Sequence, residues 1–322
     1  MLKRRTALGL LAASAAGFGG APRAQPAYPT APIKIITPTP VGVGSDVFAR
    51  LYADHLGKQL KTSVFVENRP GAAGMLGTDA VAKSAPNGYT LLFTVSLPFT
   101  TAPHLFAKVP YDAQKDLVPV AQLYRGGSFL LATNGFAGKT VADLVAAAKR
   151  EPGRISYASY GPGSTAHLGM ELFQDAAGIQ LIHVPYKQSA MTDLIGGQVQ
   201  IGFEPPVSAL PNVKTGKVRA LAYTGSQRSP ALPEVQTLAE LFGGLEVYTW
   251  VGVWAPAGTP EAIRRQLHDA LLAIGQDAEL QKALADSGLE PLRGSEAQMA
   301  ATIARESEAM GRLIRAKNIT VN

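Results

Sequence analysis

The sequence predicts an α/β protein in which two doubly wound lobes, joined by a two-segment hinge, face each other across a ligand cleft. Three observations predict this fold. β-rich runs alternate with amphipathic helical patterns over residues 33–95 and again over 129–223. Each of these units contains a glycine-rich loop between a strand and a helix. Roughly the last hundred residues hold one clear strand, so we expect them to return to the first lobe.

The first unit reads β-α-β-α-β and predicts a mostly parallel sheet. The runs at residues 33–36, 63–67 and 89–95 are short and rich in β-branched and aromatic residues, which is typical of strands. Residues 46–60 predict a helix because apolar side chains recur every three to four positions, and residues 74–84 predict a second helix.

The second unit and the tail continue the alternation. Further strands are predicted at 129–133, 155–159, 181–184, 199–203, 219–223 and 248–254. Further helices are predicted at 141–150, directly after the second glycine-rich loop, and at 260–274, 278–286 and 295–316. The expected organisation is a signal peptide at 1–24, a first lobe at 28–126 plus 226–322, and a second lobe at 127–225.

The N-terminus predicts an export signal. Lys3, Arg4 and Arg5 precede an apolar stretch at 6–18 that is too short to span a bilayer as a mature helix. We expect cleavage after Ala24, by general secretion or by the twin-arginine route, and a periplasmic location. Cleavage there removes four of the 30 basic residues and none of the 24 acidic ones, so the formal charge falls from +6 to +2. With no cluster of basic and aromatic residues, a nucleic-acid partner is not expected.

Composition and motifs exclude several kinds of site. The chain has no cysteine, which excludes disulfides, thiolate metal sites and a lipid-anchored cysteine. The five histidines show no metal-ligand spacing. There is no G-x-S-x-G nucleophile elbow and no close pair of acids. We therefore expect no metal, no cofactor and no catalytic residue.

The two glycine-rich loops resemble each other. The first, PVGVGSD, spans 40–46, and the second, YGPGSTAH, spans 160–167. Each follows a strand, places glycines in the turn, and puts a hydroxyl, Ser45 or Ser164, where the next helix should be capped. Glycine allows the backbone to approach a ligand closely, and the first amides of a helix lack intrahelical partners. Together with the helix dipole, these amides favour an anion, although the same pattern also fits ordinary capped turns.

The loops do not fit a nucleotide. A dinucleotide fingerprint needs a third glycine where Val47 stands, and the P-loop lysine is absent. Neutral loops without lysine suit a small carboxylate better than a polyphosphate.

Several other side chains follow predicted strand ends and are candidates for the cleft. Ser96 and Tyr186 are two of them, with Lys187 beside Tyr186. Glu204 would repel an anion unless it accepts a hydrogen bond from an ammonium or a protonated acid. His167 is expected either to donate to the ligand or to hold the second loop, and Asp46 is expected chiefly to stabilise its helix. Trp250 and Trp254 are expected in the core or at the hinge.

Six segments of the chain resemble one family, the Bug-type receptors of tripartite tricarboxylate transporters. They span nearly the whole chain in the family's order and lie at 38–46, 66–74, 85–91, 157–168, 183–187 and 255–260. The second of them, VENRPGAAG, is similar to the family's V-E-N-R-P-G-A-G-G, and the third, APNGYTL, is similar to A-P-D-G-Y-T-L. Departures include Thr39 for the usual Phe, Val43 and Gly44 at the Gly-Gly step, and Glu204 where the family favours Asp.

The resemblance implies a type II periplasmic binding protein fold that closes over a carboxylate-bearing metabolite and delivers it to membrane permease subunits. It implies a monomer whose first loop holds a ligand carboxylate, with the partner loop in the second lobe. The ligand classes left open are dicarboxylates, tricarboxylates, acidic amino acids and aromatic acids. The expected ligand-binding residues are Thr39, Val41, Gly42, Val43, Gly44, Ser45, Asp46, Ser96, Ser159, Gly161, Gly163, Ser164, Thr165, His167, Tyr186 and Glu204.

Two other functions stay open at this point. A receptor with the same fold could sense its ligand for a signalling system, and a partner histidine kinase encoded beside it would favour that function. An α/β enzyme acting on a carboxylic acid is the second alternative, and turnover of a candidate acid would favour it.

Overall fold

The computed structural model describes residues 28–42, 44–186 and 189–321. The predicted signal peptide at 1–24 therefore lies outside the described residues, as do Val43 and Lys187. The described strands are β1 Ile33–Thr37, β2 Val64–Asn68, β3 Thr90–Val95, β4 Leu117–Gly127, β5 Phe129–Thr133, β6 Ser156–Ser159, β7 Ile182–Pro185, β8 Ile201–Glu204, β9 Val218–Tyr223, β10 Tyr248–Pro256 and β11 Leu289–Gly294.

Twelve α-helices are described, together with a short 3-10 turn at Ala72–Gly74. They are α1 Gly44–Leu60, α2 Met75–Ala82, α3 Leu97–Thr100, α4 Ala102–Leu105, α5 Val141–Arg150, α6 Thr165–Ala177, α7 Met191–Gly196, α8 Pro206–Lys214, α9 Leu238–Leu241, α10 Glu261–Ile274, α11 Ala278–Asp286 and α12 Glu296–Ala316. No described helix is both long enough and apolar enough to cross a lipid bilayer.

The strands form two sheets, one in each lobe. The first has the order β11-β4-β10-β3-β1-β2, and the second has the order β7-β6-β8-β5-β9. Strands β1, β2 and β3 are parallel, as are β6, β7 and β8. The remaining neighbours are antiparallel, because β10 runs against β3 and β4, and β5 runs against β8 and β9. The expectation of mostly parallel sheets is therefore right for one half of each sheet only.

The chain passes between the sheets twice. Strand β4 of the first sheet leads through Ser128 directly into β5 of the second, and residues 224–247 lead from β9 back to β10. The two passages are hydrogen-bonded to each other: Ser128 N donates to Thr224 Oγ1 over 2.7 Å, and Thr224 N donates to Ser128 O over 2.9 Å. This pair of adjoining segments corresponds to the two-segment hinge expected from the sequence.

The second passage does not leave its lobe at once. Leu238 is fully buried among the second lobe's core residues, and Phe242 and Leu245 pack against the same core. We therefore propose that the second lobe continues to about residue 246, beyond the boundary at 225 that the sequence suggested.

Each lobe has its own core. In the first, α1, α10 and α11 cover one face of the sheet, while Trp250 and Trp254 lie on the other face with Met299 of α12. Both tryptophans are essentially unexposed, which confirms the expectation that they pack in the core. The last turns of α12 then cross to the second lobe, where Leu313 and Ile314 pack against Leu168 of α6.

Candidate ligand-binding cleft

Both glycine-rich loops lie at the carboxyl ends of parallel strands, where open α/β sheets bind ligands. The first leads from β1 to α1, and the second leads from β6 to α6. Residues from both lobes meet beside them, because Ser96 at the end of β3 and Thr165 at the start of α6 line one cavity of about 160 Å³. The carboxyl ends of the two sheets therefore face the same cleft.

Asp46 organises the first loop from inside. Its carboxylate is 1% exposed and accepts from Gly42 N over 2.8 Å, from Asn68 Nδ2 over 2.7 Å and from Arg50 Nε over 3.1 Å. Burial by itself raises the pKa of Asp46, but these hydrogen bonds outweigh it and hold the pKa below its ordinary value. Among the described residues these partners occupy both carboxylate oxygens, so the stabilising role expected of Asp46 is the one the contacts support.

Hydroxyls complete the first loop. Thr39 Oγ1 lies 2.9 Å from Thr37 Oγ1 and accepts from Ser45 Oγ over 3.2 Å. The helix begins at Gly44, so Ser45 lies within its first turn, and the prediction that Ser45 caps the helix is wrong. Gly42 has a φ of +82°, a conformation that favours glycine.

The second loop is capped as predicted. Ser164 Oγ accepts from His167 N over 3.3 Å and donates to Gly161 O over 2.7 Å. Ser159 Oγ accepts from Gly161 N over 3.0 Å, so this serine also holds the loop. Gly163 has a φ of +76°, and a Cβ there would collide with Leu105 of the first lobe. The second loop thus needs glycine both for its backbone and for its close approach to the opposite lobe.

His167 holds the second loop in the way that Asp46 holds the first. Gly163 N donates to His167 Nδ1 over 3.1 Å, just as Gly42 N donates to Asp46, and each acceptor stands four residues after its glycine. Of the two roles expected for His167, the contacts support the structural one. In both loops a side chain of the following helix therefore fixes the turn.

His183 on β7 extends this support, although it was not among the expected ligand-binding residues. Its ring stacks on that of His167 with centroids 3.9 Å apart, and its Nε2 lies 2.6 Å from Ser159 Oγ. Burial, and then the neighbouring His167, lower the pKa of His183 to about 4. Burial also lowers the pKa of His167. Both rings are therefore neutral near pH 7, which His167 Nδ1 requires in order to accept from Gly163.

The amides left for a ligand are those at the helix starts. No described residue accepts from the N–H groups of Ser45 and Asp46 in α1 or from those of Thr165 and Ala166 in α6. A pair of such donors at a helix start is a suitable site for a carboxylate, and α1 and α6 each provide one pair.

The interlobe cavity is more acidic than the loops beside it. Besides Ser96 and Thr165, it is lined by Glu246 and Glu306. Glu306 accepts from Trp250 Nε1 over 2.8 Å and from Tyr248 Oη over 2.9 Å, and burial raises its pKa. These carboxylates disfavour an anion in the cavity itself, so the helix starts are the better place for one.

Glu204 lies at the same edge of the second sheet. It is the last residue of β8, is 3% exposed, and accepts from Tyr160 Oη over 2.8 Å and from Ser208 Oγ over 2.7 Å. Tyr160, at the start of the second loop, was not among the residues selected from the sequence. Tyr186 lies near this edge too, but its hydroxyl donates to Asp193 Oδ2 over 2.9 Å.

Apolar side chains border the same loops. Val41 in the first loop is 73% exposed, Val207 at the start of α8 is 74% exposed, and Tyr160 is 40% exposed. Leu76 at the start of α2 is also exposed. A solute that contacts both the amides and these side chains would need a charged end and an apolar body.

One group of possible metal ligands occurs in the described part of the chain. His55, Asp277 and Glu279 bring ligand atoms within 4.8 Å of one another. Asp277 Oδ1, however, already caps α11 by accepting from Glu279 N and Leu280 N, and Glu279 is exposed. This arrangement is explained by helix capping alone.

Two mixed α/β lobes, two passages between them and a cleft bordered by matched helix starts define a two-lobed solute-binding protein. The model of the tripartite tricarboxylate transporter family receptor matches residues 48–319. The protein BugT from Bordetella pertussis is 36% identical over 303 residues, which cover 92% of each chain. The chain belongs to this receptor family.

Solved structures agree with the fold. A protein from R. palustris, solved with adipate, is 30% identical with a TM-score of 0.80, over 91% of this chain and 99% of that one. MatC from Rhodopseudomonas palustris, solved with bound malate, is 28% identical with a TM-score of 0.75, over 89% of this chain and all of that one. The family and fold expected from the sequence are confirmed, and the class is that of periplasmic solute-binding receptors.

Proposed function

We propose that this protein captures a small carboxylate-bearing solute between its lobes and delivers it to the permease subunits of a tripartite tricarboxylate-type transporter. The observation that carries the proposal is the pair of helix starts, α1 and α6, with free amides at the carboxyl edges of both sheets. The carboxylates adipate and malate, bound to two proteins of similar structure, support the ligand class. The family supports the transporter partner and a location outside the cytoplasm, reached by means of the signal at 1–24.

The two loops are suited to reversible capture. A hydrogen bond to a charged group nets about 1.5–3 kcal/mol, and micromolar affinity needs about 8 kcal/mol. Four amides would supply about 6–12 kcal/mol before the cost of ordering the solute and closing the lobes, which favours weak, reversible binding. Among the residues selected from the sequence, Thr165 and the first-loop backbone remain proposed contacts, while Asp46, Ser159 and His167 are proposed to shape the site without touching the solute.

A melting-temperature screen of the purified protein tests the ligand class. We expect a carboxylate present at about one hundred times its dissociation constant to raise the melting temperature by roughly 5 °C, and its uncharged amide analogue to leave it unchanged. Stabilisation by neutral or cationic compounds alone would contradict the proposal. Turnover of an added acid would point to an enzyme instead.

A further inference from the structure

Glu204 stands where the second lobe should meet its solute. The second sheet has the order β7-β6-β8-β5-β9, and Glu204 ends β8, next to β6, from which the second loop departs. Its carboxylate accepts a hydrogen bond from one hydroxyl in each of three segments that follow strand ends. The donors are Tyr160 after β6, Ser189 after β7 and Ser208 after β8. The carboxylate thus lies at the common carboxyl edge of the three parallel strands.

The described residues do not use the carboxylate fully. Oε2 accepts the two short hydrogen bonds, whereas the one described contact of Oε1 is to Ser189 Oγ at 3.5 Å, which is the outer limit of a hydrogen bond. An ionised carboxylate can accept about four hydrogen bonds. Oε1 therefore keeps the capacity to accept from a further donor.

The charge on Glu204 also lacks a partner in the described part of the chain. No described lysine, arginine or histidine nitrogen lies within 4.0 Å of it. Three hydroxyls donate to the carboxylate, but no described cation accompanies it, so the cost of burying its charge is only partly offset. Accepting hydroxyls does not itself require the charge, because an amide oxygen could do the same. A negative group at this position therefore suits a cation that arrives with the solute.

Tyr160 supports the same conclusion. Its hydroxyl is fixed by Glu204, while its side chain is 40% exposed. Because Tyr160 donates to Oε2, it leaves Oε1 to another donor, and its exposed ring places the pair next to the protein surface. The carboxylate can therefore bind an ammonium group.

Resting on the proposed function, we infer that the solute is a zwitterion. Its carboxylate binds the helix-start amides, and its ammonium donates to Glu204 Oε1. A dicarboxylate of the same length would place its second negative charge against Glu204 and bind more weakly. Glu204 is thus a specificity-determining residue that selects amino-substituted acids over plain diacids.

A panel of matched solutes tests this inference by calorimetry. It pairs each dicarboxylate of three to six carbons with the ω-amino acid and the α-amino acid of equal length, and pairs terephthalate with 4-(aminomethyl)benzoate. We expect the tightest binder to be a zwitterion that binds at least tenfold more tightly than its matched diacid. For Glu204→Gln we expect the affinity of this zwitterion to fall about tenfold to a hundredfold, while the affinity of the matched diacid stays the same or rises.

Two further variants make the result decisive. Glu204→Asp keeps the charge and should keep the preference for the zwitterion. This variant also tests the inference if Glu204→Gln does not fold. Lys187→Met should not alter the preference. If diacids bind the unaltered protein as well as zwitterions do, or if Lys187→Met rather than Glu204→Gln changes the preference, the inference is wrong and the proposed function stands. If no panel compound binds, the inference is wrong, and the melting-temperature screen with tricarboxylates, acidic amino acids and aromatic acids then decides the proposed function.

Discussion

At the scale of single residues, the two loops are built by the same device. A glycine amide in each turn donates to a side chain four residues later, Asp46 in one lobe and His167 in the other. Asp46 and His167, which both stand among the expected ligand-binding residues, are thus occupied in holding the turns. We propose that backbone groups bind the solute and that Glu204 discriminates among solutes.

Replacing Asp46 tests the first loop. Asp46→Asn removes the charge that Arg50 pairs with and turns one of the two acceptor atoms into a donor facing Gly42 or Asn68. Because the site is buried, we expect the free energy of unfolding to fall by about 1–3 kcal/mol. We also expect the variant to bind less tightly the carboxylate that raises the melting temperature of the unaltered protein most.

Guanidinium denaturation measures the first effect, and Asp54→Asn on the same helix is the control. The Asp54 side chain is 59% exposed and pairs only with the exposed Lys58, so its loss should change stability by less than about 0.5 kcal/mol. Equal effects of the two substitutions would show that Asp46 does not organise the loop.

At the scale of elements, the sequence predicted the helices and strands that have a regular apolar period, and it missed the strands that depend on pairing with distant parts of the chain. The first helix, the three parallel strands of each lobe and the tail helices were predicted within a few residues, because each carries its own apolar period. The β4 strand was missed, since Pro119 and the closing glycines interrupt its pattern, and so was β11. Both pair antiparallel in the half of the sheet that long-range contacts assemble.

The site was predictable to the same degree. Strand, glycine turn and helix start are local features, so the two loops and Ser164 as a cap could be inferred from the sequence. The stacking of His183 on His167 joins residues of different elements, and no spacing along the chain indicates it. The same is true of Tyr160 and Ser208 around Glu204.

Glu306 on the C-terminal helix α12 should make the free energy of unfolding depend on pH. Its carboxylate is anchored to β10 by Trp250 and Tyr248, and burial raises its pKa above the ordinary value of 4.5. The folded state therefore binds this proton more tightly than the unfolded chain does. As pH rises above 4.5, the unfolded chain releases the proton first, so the contribution of Glu306 to stability is lost as pH rises through its folded pKa.

Glu306→Gln should flatten this dependence. Gln cannot ionise, so we expect the free energy of unfolding of the variant to fall less between pH 4.5 and 7.5 than that of the unaltered protein. At low pH it should be less stable by about 0.5–1.5 kcal/mol, because one of the two hydrogen bonds is lost. Denaturation at several pH values checks both points, with the exposed Glu308→Gln on the same helix as control. Parallel pH profiles for all three proteins would contradict the assignment.

At the scale of the whole molecule, we expect the lobes to close on a solute by turning about the two adjoining passages between the sheets. Gly127 lies where they touch: its amide donates to Tyr223 Oη over 3.1 Å, and a Cβ on it would come within 2.7 Å of Gly225 N. The absence of a side chain at this position therefore sets how closely the passages pack, and with it the angle between the lobes.

Gly127→Ala should disrupt both the packing of the two passages and the closure of the lobes. Overpacking of this kind costs about 1–3 kcal/mol, so we expect a lower melting temperature, and the forced separation of the passages should reduce the compaction that a bound carboxylate produces. Small-angle scattering with and without the best-binding panel compound measures that compaction as a decrease in the radius of gyration. Gly135→Ala is the control, because a Cβ at Gly135 meets no atom within 4 Å. If both variants compact as fully as the unaltered protein, the lobes turn elsewhere than at Gly127.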